Sequence, residues 1–236
     1  MKFKRLIPAL CMLLVSAVLM GTSTFAWFSM NREVSANNLS ITAQADNPYL
    51  LISTAQDGTF AKTANEDVAA AEALKLVTPT NLTGASKFTN AASVTWGTTT
   101  STDPAEVQAE NALTTVEAAN LDKYVLTDER WFKVEENTSN GTNLKLTKAT
   151  FTTGTNSIAA SGRVLLVSET GKYQLVKVVN GEVTATEGDA QLLETVTTTA
   201  QKVTIYFYFD GKDNAAYTDN ATDLSAISAA FTFNID

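Results

Sequence analysis

Histidine is absent from this 236-residue chain, and cysteine occurs once, at Cys11. Without histidine the chain lacks the commonest general base and the commonest zinc ligand, and a His-Glu-x-x-His zinc helix is excluded. Charge is also scarce. Charged residues make up 18% of the sequence, with 17 Lys and Arg against 25 Asp and Glu, a formal net charge of −8. Nucleic-acid binding rests on clustered cations, which this acidic composition does not supply. No Gly-x-Ser-x-Gly elbow, Gly-x-Gly-x-x-Gly loop or phosphate-binding P-loop occurs in the sequence. Composition and motifs together argue against an enzyme.

What is present begins with an export signal. Lys2, Lys4 and Arg5 form a short basic head, Leu6 to Met20 is an uncharged apolar run, and Thr24-Phe25-Ala26 offers a small-x-small cleavage site. Cleavage is expected between Ala26 and Trp27, which makes residues 1–26 a signal peptide and 27–236 one domain. Leu6 to Phe28 is also long enough, at about 20 residues, to span a bilayer uncleaved. The small, polar Gly21 to Thr24 stretch suits a cleavage region better, and no stable membrane anchor is expected. Cys11 leaves with the leader, so the mature chain has no disulfide and no thiol nucleophile. The leader carries three cations and no acid, so its removal brings the net charge to −11. The mature chain then opens on the apolar Trp27-Phe28-Ser29-Met30.

The run Gly21-Thr22-Ser23-Thr24-Phe25-Ala26-Trp27-Phe28, followed by a polar segment and an alternating strand, resembles the SipW-type signal region of the TasA/camelysin family of secreted bacterial matrix and surface proteins. That resemblance implies a jelly-roll-like sandwich, processing by a signal peptidase of the SipW type, and secretion to the extracellular matrix or cell surface. It also implies a homopolymer, built with or without an accessory assembly protein, in which an N-terminal donor strand within 27–45 enters the next subunit. On this implication Trp27, Phe28, Met30, Val34 and Ala36 are the inserting side chains. Each large aromatic so buried contributes about 1.5–3 kcal/mol. A short loop would equally let the same strand pair within its own subunit. Metalloprotease activity, attributed to camelysin-type members, has no histidine ligand here.

Periodicity reads as all-β: an antiparallel β-sandwich with one or two short surface helices. Leu39, Ile41, Ala43 and Ala45 alternate with polar residues, and Tyr49 to Ile52 is a short apolar run after the Asn47-Pro48 turn. A capping box, Thr63-x-x-Glu66, precedes the Ala-rich Val68 to Leu76 and predicts the first helix. Asp103-Pro104-Ala105-Glu106, with an apolar stripe through Leu113 and Val116, predicts the second over Pro104 to Ala119. Strands follow to the end of the sequence. Gly162 to Val167 reads as an interior strand, and Asn180-Gly181 predicts a hairpin between Tyr173–Val179 and Glu182–Thr186. Val203 to Phe209 is apolar on both faces and should sit centrally, and Ile227 to Ile235 alternates.

Two further sets of residues could carry chemistry. Asp210, Asp213 and Asp219 crowd oxygen ligands into one loop, as calcium prefers, although the residue types are also those of an ordinary turn. No other cofactor is expected. Thr-rich sandwiches with exposed aromatics can bind glycans, so a monomeric adhesin is the alternative function, with Trp96 and Trp131 as contact candidates. The adjacent acids Asp128-Glu129 and Glu135-Glu136 would point to opposite faces of a strand and read as solvated surface rather than as a catalytic pair.

Overall fold

The computed structural model describes residues 33–34, 39–69, 74–82, 88, 91–98, 113–153, 161–213, 216 and 228–236. In chain order the strands are β1 (Glu33–Val34), β2 (Leu39–Ala45), β3 (Leu50–Ser53), β4 (Thr63–Val68), β5 (Leu74–Lys75), β6 (Thr78–Pro79), β7 (Trp96–Thr98) and β8 (Thr114–Thr115). There follow β9 (Val125–Val134), β10 (Gly141–Thr152), β11 (Gly162–Ser168), β12 (Tyr173–Lys177), β13 (Gly181–Val183), β14 (Glu187–Gly188), β15 (Leu193–Val196), β16 (Gln201–Phe209) and β17 (Ser228–Asn234). The fold is all-β. Among the described residues the helical segments include 3-10 turns at Ala91–Ser93 and Ala118–Lys123, and no helix is long and apolar enough to cross a membrane.

One sheet runs β13-β10-β17-β2-β4, with β15 also on β10, and the other runs β14-β12-β11-β16-β9-β3. Their facing sides build the main core, which includes Ile41, Phe132, Phe151, Val164, Phe207, Phe231 and Phe233. Strands that alternate supply one residue in two to this layer, as β2 and β17 do. β11 and β16 are buried along both faces, because a third layer covers the outside of their sheet. That layer is the segment around β6, β7 and β8, and its Val77, Phe88, Val94 and Trp96 pack on Leu165, Val167, Tyr206 and Tyr208. β16 is therefore central in two senses, between β11 and β9 within its sheet and between two cores.

Three local expectations differ from the structure where it describes them. The predicted first helix, Val68 to Leu76, is strand at both of its described ends: Val68 closes β4, which also contains the capping box Thr63–Glu66 and pairs with β2 from Leu39↔Val68 to Gln44↔Thr63, and Leu74–Lys75 is β5, while residues 70–73 lie outside the described residues. Pairing with β2 and burial of Ala64 outweigh the capping box, and pairing with β1 and burial of Leu74 outweigh the helix propensity of the segment after it, which is worth only a fraction of a kcal/mol per residue. Most of the predicted second helix lies outside the described residues, and its end is strand β8 followed by a 3-10 turn. Asn180-Gly181 does not close a hairpin. Gly181 has the positive φ of a turn, 109°, but β12 stays beside β11 while β13 crosses to the opposite sheet and pairs with β10 at Ala149, Thr150 and Phe151. Within this largely antiparallel sandwich one pair is parallel: β2 and β17 lie side by side from Ser228↔Ser40 to Phe233↔Ala45.

Candidate functional site

Of the candidate inserting residues, the structure describes Val34, which lies in β1. Trp27, Phe28, Met30 and Ala36, together with the cleavage pair Ala26 and Trp27, fall outside the described residues. β1 pairs antiparallel with β5 of the same chain through two residue pairs, Glu33↔Lys75 and Val34↔Leu74. Leu74 is fully buried in the main core. Just beyond β5, the Val77 amide donates to the Phe209 carbonyl and the Gly211 amide donates to Val77, which fixes this segment at the end of β16. β2, by contrast, is bonded on both sides, to β17 and to β4. Leu39–Ala45 is thus an interior strand of its own sheet, and a donated stretch within 27–45 is restricted to residues before Leu39.

Two of the strand edges left open among the described residues lie close together. β4 ends its sheet, and residues 125–130 of β9 have no strand on the side away from β16, because β3 pairs only with Trp131 to Val134. Between these edges lies an ion cluster. Arg130 is fully buried; its guanidinium donates to Asp128 Oδ1 at 2.6 Å, to Glu66 Oε2 at 3.0 Å and to the Ile41 carbonyl at 3.3 Å. Burial pushes the Asp128 carboxyl up to about 7, against the pull of Arg130 and with a further push from Glu66. Among the described residues, Asp128 Oδ2 and Arg130 Nε have no hydrogen-bond partner. The solvated-surface reading of Asp128-Glu129 therefore holds for the exposed Glu129, which pairs with Lys202 at 2.8 Å, and fails for Asp128. A signal was available. Leu126, Asp128, Arg130, Phe132 and Val134 alternate on one face, so the two charges fall on the apolar side.

The calcium candidates are engaged elsewhere. Asp213 accepts from Arg163 Nη2, Asp210 lies 3.9 Å from Arg163 Nε, and Asp210 Oδ1 also caps the Lys212 amide at 3.0 Å. A cation here would compete with a guanidinium. Asp219 lies outside the described residues, and no group of three or more His, Cys, Asp or Glu suited to a metal occurs among those described.

Trp96 is corrected as a glycan contact. It is 3% exposed, edge-on to Tyr206 and Tyr208 at 5.5 and 5.0 Å between ring centroids, because the third layer turns it inward. Trp131 is half-buried, with Lys202 Nζ 5.6 Å from its ring centre. Sequence reasoning passed over Tyr49, which is 52% exposed and lines a cleft of about 480 Å³ with Asn137, Ser139, Asn140 and Asp236.

No family model, curated protein or solved structure matches this chain.

Proposed function

We propose that this is a secreted structural protein of a bacterial surface or matrix, which polymerises into fibres by donating its N-terminal strand to the next subunit. The observation that carries this reading is the β1–β5 pair. A strand held by two residue pairs to a core-anchored partner can leave that partner in its own chain and form the same pairing in another. The exchange preserves every backbone bond of the pair, so its cost is small. It is driven by what the released segment buries, and Trp27, Phe28 and Met30 are its apolar payload. The resemblance of Gly21 to Phe28 to a SipW-type signal region supports secretion and the same mode of assembly. Head-to-tail donation does not close on itself, so it propagates.

The experiment compares residues 27–236 with 37–236 by negative-stain electron microscopy and light scattering across a concentration series. Filaments from the longer chain and monomers from the shorter one are expected. Filaments from both would remove the N-terminal strand from the account. If both stay monomeric with the signal peptidase and secretion partners of the host present, the adhesin alternative replaces it.

A further inference from the structure

The cleft beside Tyr49 lies beyond the last residues of β2, β9 and β17, where three chain segments converge and tie one another in place. Asn47 Nδ2 donates to the Ile235 carbonyl at 3.2 Å, and Asn47 Oδ1 accepts the Tyr49 amide at 2.9 Å. The Glu135 amide donates to the Tyr49 carbonyl at 3.0 Å, and Thr138 Oγ1 donates to the Glu135 carbonyl at 2.6 Å. Asn137 holds a left-handed φ of 64° in the same turn. The walls are thus preformed, at a volume within the usual range for small-molecule sites.

The lining selects the ligand by elimination. Tyr49 is one of two large apolar side chains that are exposed among the described residues, in a chain that buries Tyr206 and Tyr208 deeply. Around it stand the exposed amides of Asn137 and Asn140 and the hydroxyl of Ser139. Among the described residues no Lys or Arg lines the cleft, so an anion finds no partner there. The one carboxylate, Asp236, is already compensated by Lys145 at 3.1 Å and Asn143 at 3.1 Å, so a cation gains little. The polar rim disfavours a purely apolar ligand. An aromatic face flanked by amides, a hydroxyl and a carboxylate acceptor suits a molecule with apolar C–H faces and a ring of hydroxyls.

We propose that this cleft binds a neutral saccharide, with Tyr49 as the stacking platform and Asn137, Ser139, Asn140 and Asp236 as hydroxyl partners. The proposal does not rest on fibre assembly. Along β9, the cleft lies past Val134, whereas β5 sits near Phe209, whose neighbour Tyr208 pairs with Val125. The two sites are separated by roughly the length of a ten-residue strand, about 30 Å. Subunits joined through β1 would keep their clefts open to a polysaccharide.

The test is affinity gel electrophoresis of residues 27–236 in gels containing laminarin, dextran, hydroxyethyl cellulose or soluble starch, with polygalacturonate as the anionic comparison. Circular dichroism melting confirms that each variant is folded. At least one neutral polysaccharide should retard the wild type, with affinity about tenfold lower in Tyr49→Ala, reduced in Asn140→Ala and unchanged in Trp131→Ala. Retardation by none of the neutral polymers overturns the proposal. So does preference for polygalacturonate, or a folded Tyr49→Ala that binds as well as the wild type.

Discussion

Arg130 and Asp128 stand two residues apart on β9 and meet at 2.6 Å between the two sheets, on a face otherwise filled by Leu126, Phe132 and Val134. Desolvating two charges costs several kcal/mol, and their attraction offsets this only while both are present. Glu66, whose side chain is 45% exposed, carries the cluster outward to solvent beside the open edge of β4.

Breaking the pair should therefore be far worse than removing it. Asp128→Ala or Arg130→Ala is expected to lower unfolding free energy by about 3–5 kcal/mol. The double replacement Asp128→Leu with Arg130→Met should cost little or raise stability, since Glu66 can hydrate. Urea denaturation midpoints at constant slope read the difference.

Asp128 also sets a pH dependence of unusual sign for a carboxylate. Its ordinary value is 3.8 and burial lifts it to about 7, so between these limits the folded state binds a proton that the unfolded state has lost. Stability from this group is full below about pH 4 and falls as pH rises toward 7. Asp236 and Glu194, held below the usual carboxylate range by hydrogen bonds from Lys145 and Lys172, act oppositely, giving stability that is lost as pH falls below the usual range. The difference between wild type and Asp128→Asn isolates the first effect. The wild type should lose stability relative to the variant from pH 4 to 7, and parallel curves would contradict it.

Trp96 makes a packing prediction that separates it from any binding role. Trp96→Ala, which empties the space between the third layer and Tyr206 and Tyr208, should cost about 3–5 kcal/mol. Trp96→Phe should cost much less, because the buried indole Nε1 has no hydrogen-bond partner among the described residues and its loss leaves nothing there unpaired. Calorimetric melting of both variants checks the ranking. Polysaccharide retention by folded Trp96→Phe should equal that of the wild type.

Strand by strand, the sequence carried the fold where local period and burial agree. Leu39–Ala45 is a strand with the facing that its alternation requires, and Gly162–Ser168 and Gln201–Phe209 are strands buried on both faces, as their apolar runs require. It misled where a local preference met a tertiary one, as at Thr63–Val68, and at Asn180-Gly181, whose turn chemistry is used to change sheets. The parallel β2–β17 pair joins residues nearly two hundred positions apart, which no window of sequence records. For the sites, the difficulty was exposure. Trp96 and Tyr49 look equally available in the sequence, and only the third layer buries one of them.

Exchange of β1 between subunits is tested most directly by mixing two single-cysteine variants of residues 27–236, Glu33→Cys and Lys75→Cys. Residues 27–236 contain no cysteine, and Glu33 and Lys75 are directly opposed in an antiparallel pair, within reach of a disulfide. The mixture is allowed to assemble, oxidised and run on a non-reducing gel beside each variant alone. Donation predicts disulfide-linked heterodimers in the filament fraction that exceed the homodimers of either variant. Filaments without that heterodimer would contradict the account, because β1 would then have stayed paired with β5 of its own chain.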